Sequence, residues 1–233
     1  MTLELLGGQL LEYSFTCADR KTMSITVRPD GSVAVRAPAD VGLEKVEARL
    51  RRRIGWIRRQ QDMFESFQPR TPARRYVAGE THRYLGRQYR LKLIAGTREG
   101  VRLWAGYMEV TLRDPADSER VRKLLWSWYR AQAERYFPPL LAHWLDRFPR
   151  QGLPESRLLI RRGSQRWGSC SASGTITLNL DLIRAPRSSI EYVLVHELCH
   201  FCYPSHSRQF FALLESVLPD WRDRKQRLER VMV

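Results

Sequence analysis

The chain has 233 residues, 43% hydrophobic and 28% charged, with four cysteines and a formal net charge of +15. That composition excludes a disordered chain and a disulfide scaffold, and no apolar run approaches the roughly 18 residues of a transmembrane helix. The opening Met1-Thr2-Leu3-Glu4-Leu5-Leu6-Gly7-Gly8 lacks the basic stretch and long apolar core of a secretory leader, so the expected compartment is the cytoplasm, with no membrane partner.

Residues 9–36 alternate as strands: Leu11, Tyr13 and Phe15, then Met23, Ile25 and Val27, then Val33 and Val35, with Pro29-Asp30-Gly31 as a turn. Over 42–67, Leu43, Val46, Leu50, Ile54, Ile57 and Phe64 recur at helical spacing. Asp40 is the expected N-cap of this helix, and Arg51, Arg52, Arg53, Arg58 and Arg59 occupy its opposite face. Strand patterns return over 75–94 and 101–112, punctuated by glycines. Residues 115–148 are helical, and Trp126, Trp128, Tyr129, Tyr136 and Trp144 read as core packing rather than a stacking surface for bases. Pro138-Pro139 is expected to kink or split this helix. In the last third, 158–160 and 175–180 read as strands. Ser188 and Glu191 have the spacing of a capping box, so a helix is expected from near Ser189 through His200, and a second from Ser205 through Leu218. No repeat, low-complexity segment or long linker is evident.

The pattern predicts an α+β fold: a basic strand-helix-strand region over 1–113, then a core over 114–233, with a soft boundary between 113 and 157. The charge is uneven. Residues 49–103 carry 15 basic and four acidic side chains, a surface that attracts polyanions and makes DNA a candidate partner. Against this, 35 of the 40 cations are arginine, a bias that genome composition alone produces.

The chemistry concentrates in His196-Glu197-Leu198-Cys199-His200, an H-E-x-x-H sequence on an expected helix. Residues at i and i+4 share a face, so both imidazoles reach one metal ion, and the glutamate between them is placed to act as general base on metal-bound water. Val193, Leu194 and Val195 make that helix a buried one, and buried histidines and a glutamate need partners. Two residues compete as third ligand. His206 follows His200 at the interval of the third histidine in H-E-x-x-H-x-x-G-x-x-H, with Tyr203-Pro204 where that motif has its glycine turn. Glu215 lies in the following helix. The spacing favours His206.

The stretches Arg166-Trp167-Gly168-Ser169-Cys170, Ile176-Thr177-Leu178-Asn179, the run from Ile190 through His200, His206-Ser207-x-x-Phe210 and Leu218-Pro219-Asp220-Trp221 resemble the YgjP-like metallopeptidase family. Upstream Tyr84-Leu85-Gly86-Arg87-x-Tyr89-x-Leu91 fits the same pattern. The resemblance covers nearly the whole chain and is densest over 157–221. It implies a zincin-like catalytic domain, with its H-E-x-x-H helix packed on a small sheet, distantly similar to SprT and WLM proteins, which are linked to DNA-bound protein substrates. On that pattern His196, His200 and His206 hold one zinc ion and Glu197 is the catalytic base, acting on a protein or peptide substrate.

Zinc with three protein ligands keeps a position for water and lowers its pKa toward neutrality. With zinc held there to polarise the carbonyl, Glu197 would take a proton from the attacking water and return it to the leaving amine. Tyr203, Arg208 and Arg166 are candidate oxyanion donors, with Asn179 a further candidate contact to substrate. The 175–180 strand is a candidate for pairing with extended substrate, its alternative being an ordinary core strand. Cys199 and Cys202 form C-x-x-C without a second pair, which suits small core residues better than a metal site; a redox role near the zinc, with Cys170, is the alternative.

Two other functions compete. A nucleotide pyrophosphatase, a label carried by members resembling this family, would hold phosphates on arginine, but the chain has no Gly-x-x-x-x-Gly-Lys loop and no carboxylate cluster for magnesium. A nucleic-acid-binding module with a structural zinc would prefer four ligands including cysteine and would leave Glu197 without a task.

Overall fold

The computed structural model describes residues 1–5, 10–20, 22–28, 30–65, 74–149, 156–163 and 166–232. Pro29 of the expected first turn, the Phe64 side chain and residues 66–67 lie outside the described residues. The architecture is mixed α+β, and the chain divides into two units, Met1–Pro72 with Val233, and Ala73–Met232.

In the first unit, β1 (Thr2–Glu4), β2 (Leu10–Cys17), β3 (Ser24–Val27) and β4 (Val33–Ala37) form a sheet in the order β1-β2-β4-β3. Helix α1 (Leu43–Glu65) closes its apolar side. Leu3, Leu11, Tyr13, Val33 and Val35 alternate inward and meet Val46, Leu50 and Ile57 of α1. The Gly42 carbonyl takes the Lys45 and Val46 amides, so Gly42 rather than Asp40 opens α1.

The second unit begins with β5 (Thr81–Tyr84), β6 (Arg87–Ala95), β7 (Gly100–Trp104) and β8 (Tyr107–Leu112), ordered β5-β6-β8-β7, and α2 (Ser118–Arg147). Leu91, Met108, Val110 and Leu112 share one core with Val121, Leu125 and Tyr129 of α2. The expected boundary at 113–157 therefore falls inside this unit: β5–β8 cannot bury their apolar face without α2. Helix α2 also runs unbroken through Pro138 and Pro139. Ala133, Phe137, Leu140 and Leu141 bury both halves in the same core, and that packing outweighs the lost backbone bonds.

These two ββββα arrangements are copies of one topology, contrary to the expectation of no repeat. In each, the second and fourth strands are parallel and the outer pairs antiparallel. The registers coincide: Tyr13 faces Val33, Phe15 faces Val35 and Cys17 faces Ala37, as Leu91 faces Met108, Leu93 faces Val110 and Ala95 faces Leu112. Gly31 and Gly106 take the same left-handed turn (φ 78° and 82°) before the fourth strand. Beyond it, Val46 and Leu50 of α1 correspond to Val121 and Leu125 of α2.

After α2 come β9 (Arg157–Arg161), β10 (Gly168–Cys170) and β11 (Thr175–Asn179), in the order β10-β11-β9. A 3-10 turn over Leu180–Arg184 leads to α3 (Arg187–Cys199), α4 (Arg208–Val217) and α5 (Trp221–Met232). Strand β11 is paired antiparallel to β10 and parallel to β9. Both of its edges are taken, so it cannot pair with substrate as expected; among the described residues β10 and β9 are the two edge strands of this sheet. Pro186 stands at the N-cap of α3 with no side-chain cap, so the Ser188–Glu191 capping box does not form. Glu191 instead binds Arg187 and Arg224, each at 2.7–2.8 Å. Ser207, not Ser205, caps α4 by accepting from the Phe210 amide. Among the described residues no helix is long and apolar enough to cross a membrane.

Candidate metal centre

Helix α3 is buried on nearly all sides: Ile190, Val193, Leu194, Val195 and Leu198 fill the core around it. Its last turn carries His196 and Glu197, and His200 stands at the C-cap. The helix ends as the Tyr203 amide bonds the Cys199 carbonyl at 2.9 Å, and Pro204 cannot continue it. The chain then swings His206 back over the helix end before Ser207 starts α4.

The nearest donor nitrogens of His196, His200 and His206 lie within 4.8 Å of one another. His206 Nε2 is 3.0 Å from His196 Nε2. Two ring nitrogens that close put lone pair against lone pair unless a proton or a cation stands between them. His200 Nδ1 lies 3.2 Å from the Tyr203 carbonyl, which accepts only if Nδ1 carries the hydrogen; Nε2 is then the free donor atom. Burial, then the charge of the neighbouring rings, pushes His196 down to about 3 and His206 below the usual histidine range. Both are therefore neutral near pH 7, the state in which imidazole ligates metal. An all-imidazole set suits zinc, and three such donors fit a site that keeps a further position for water.

Phe210 on α4, fully buried, sits 4.8–5.0 Å from all three imidazole rings and sets their spacing from below. A stack of Tyr192, Trp221 and Phe211 continues this apolar wall to His206. Glu197 is 6% exposed. Burial raises its carboxyl to about 7, against the pull of the Arg166 guanidinium. The site leaves it room because β10 begins with glycine: a β-carbon on Gly168 would meet Glu197 Oε1 at 2.7 Å. Beside β10 lies a recess of about 340 Å³ lined by Arg161, Arg166, Gly168, Ser169 and Thr177.

The other expected residues separate. Glu215 forms an ion pair with Arg222 at 2.7 Å and lies outside the imidazole cluster. Asn179 is a clasp: its side-chain amide donates to the Gly163 and Arg166 carbonyls, and its oxygen accepts from the Asp181 amide. With both amide hydrogens spent, it has none to offer an oxyanion. Arg166 is held by that clasp near Glu197. Tyr203 contributes its carbonyl to His200, and Arg208 is exposed at the start of α4. Cys199 is buried and free, its thiol pushed up to about 12 by burial, which makes it inert; Cys170 is likewise raised, to about 11. Sequence reasoning passed over the roles of Gly168 and Phe210, although both stand inside the motifs quoted above. A glycine or phenylalanine carries no chemistry of its own, and only the packed site shows what each makes room for or supports.

A mixed α+β fold with three imidazoles gathered at the end of its most buried helix fits a metallopeptidase domain. The chain belongs to the YgjP-like family: the model described as "YgjP-like, metallopeptidase domain" matches residues 21–231. Among solved structures, the crystal structure of the metallopeptidase zymogen of Pyrococcus abyssi abylysin is similar at 28% identity and a TM-score of 0.35, over 38% of this chain and 88% of that one. No curated protein matches the chain.

Proposed function

We propose that the chain is a zincin-like, zinc-dependent peptidase in which His196, His200 and His206 hold the metal and Glu197 is the general base. One observation carries this reading: three imidazoles, their donor nitrogens within 4.8 Å of one another, converge beside a buried carboxylate. A zinc ion held there supplies a Lewis acid that polarises the scissile carbonyl and acidifies water. Glu197 does the proton work, taking a proton from the attacking water and handing it to the leaving nitrogen. Burial raises this carboxyl above the usual glutamate range, so it holds a proton more readily than an exposed glutamate does.

The substrate is a peptide in extended form. Strand β10 is an edge strand whose first residue, Gly168, lies against Glu197, and an added strand on β10 gains main-chain hydrogen bonds that are indifferent to sequence. Arg166 adds positive charge near the reacting centre. An imidazole donor set, with no carboxylate among its members, favours this reading over magnesium-dependent phosphoanhydride hydrolysis. The test is zinc analysis together with cleavage of an unfolded protein by wild type and Glu197→Gln, which retains metal and loses cleavage if the assignment is correct.

A further inference from the structure

We propose that the first unit binds single-stranded nucleic acid in the groove between α1 and the edge strand β3. This inference is independent of the metal site. Lys45, Arg49 and Arg53 follow one another at i, i+4 along α1, and Arg52 stands beside them. All four are exposed, and among the described residues none forms an ion pair. A solvated helix face gains by alternating charge at this spacing and loses by repeating one sign. Repeated cations are therefore a cost to the fold that a polyanion relieves.

The duplicated topology supplies an internal comparison. The positions of Arg49 and Arg53 in α1 are those of Leu124 and Trp128 in α2, which are half-buried against the second core. The same place in the same arrangement is apolar and covered in one copy, cationic and open in the other.

The groove also has a floor. Arg49, Arg53 and Trp56 of α1 and Met23 and Ile25 line one pocket of about 320 Å³. It adjoins a second of about 470 Å³ that adds Thr22, Lys45 and Arg52. Cations along one wall with an aromatic ring and aliphatic side chains beneath match a strand whose bases are unstacked: phosphates meet the arginines, and base faces meet Trp56, Met23 and Ile25. A duplex keeps its base faces inside and has no use for that floor. Acidic peptide offers carboxylates but no flat rings.

The test is fluorescence anisotropy of the full chain with a labelled oligothymidylate of about 20 nucleotides. The triple variant Arg49→Ala/Arg52→Ala/Arg53→Ala is expected to weaken binding at least about tenfold and to flatten the log K against log salt slope by about 2. Removing the same charge at Arg87, Arg90 and Arg98 is expected to change affinity by less than about twofold once salt is matched. Trp56→Ala is expected to cost about tenfold with the salt slope unchanged, the signature of lost stacking. Circular dichroism melts of each variant confirm that the fold is intact, and Trp56→Phe serves in place of Trp56→Ala if the latter melts early. Equal losses from the two triple variants would overturn the proposal, as would tighter binding of duplex DNA or equal binding of polyglutamate.

Discussion

Gly168 and Glu197 are in contact across the gap between β10 and α3, and the contact exists only because Gly168 has no side chain. A β-carbon there would stand 2.7 Å from Oε1 and 2.8 Å from the Glu197 Cγ. Glu197 is the group proposed to move the proton, so displacing it displaces the chemistry. Gly168→Ala is expected to lower kcat by about 100-fold, the scale set by a misplacement near 1 Å, while zinc content stays at the wild-type level. Unchanged kcat would mean that the carboxylate position is not critical.

A second glycine ties the β5–β6 hairpin to the start of α3. Leu85 and Gly86 donate their amides to the Ile183 and Arg184 carbonyls, at 2.9 and 3.1 Å, just before α3 starts. Gly86 has φ +80°, and a β-carbon on it would lie 2.9 Å from Pro186 Cα at the N-cap of α3. Gly86→Ala combines a left-handed backbone with a backbone collision, so it is expected to cost about 2 kcal/mol or more. Thermal melting should show a fall of at least about 4 °C. Because the strain enters at α3, zinc affinity should fall with it.

His82 gives the protein a pH-dependent stability apart from the metal. It is 4% exposed and lies 3.2 Å from Glu80. Burial, reinforced by the Arg74 charge, lowers it from 6.5 to about 4, more than Glu80 raises it. The folded state thus binds this proton less well than the unfolded chain. Its contribution is intact above pH 6.5, falls as pH drops from 6.5 to 4, and is constant below that, a loss on the order of 3 kcal/mol. His82 pairs with Tyr89 as Leu3 pairs with Leu11, so the first copy shows leucine to be acceptable at this place. In His82→Leu the denaturant midpoint should fall less steeply over that interval than in wild type; equal slopes would show that His82 is not the titrating group.

The choice between His206 and Glu215 can be checked by metal content. His206→Ala is expected to reduce bound zinc below stoichiometry at micromolar free metal. Glu215→Ala, which removes only the exposed pair with Arg222, is expected to hold a full complement. The reverse pattern would reinstate Glu215 as the ligand.

The proximity of His196 and His200 was legible because helix geometry turns their i, i+4 spacing directly into a shared face. Elements with strong periodicity, such as α1 and the β2–β4 strands, were legible for the same reason. The duplication was hidden because it resides in register: Tyr13 and Leu91, or Ala37 and Leu112, occupy equivalent places with different side chains. The capping box failed because capping competes with other partners, and Arg187 and Arg224 hold Glu191. Asn179 looked available to substrate because its bonds run to Gly163 and Arg166, a loop that local pattern cannot bring alongside β11. The continuity of α2 through two prolines was unreadable too, since it depends on a core assembled from distant strands.

The most direct measurement pairs zinc content with proteolysis of an unfolded protein for wild type and Glu197→Gln. The zinc-peptidase assignment requires stoichiometric zinc in both proteins, cleavage by wild type, and at least about a 100-fold loss of cleavage in the variant. A wild type that takes up no zinc when the metal is supplied, or a Glu197→Gln variant that cleaves at the wild-type rate, would contradict it.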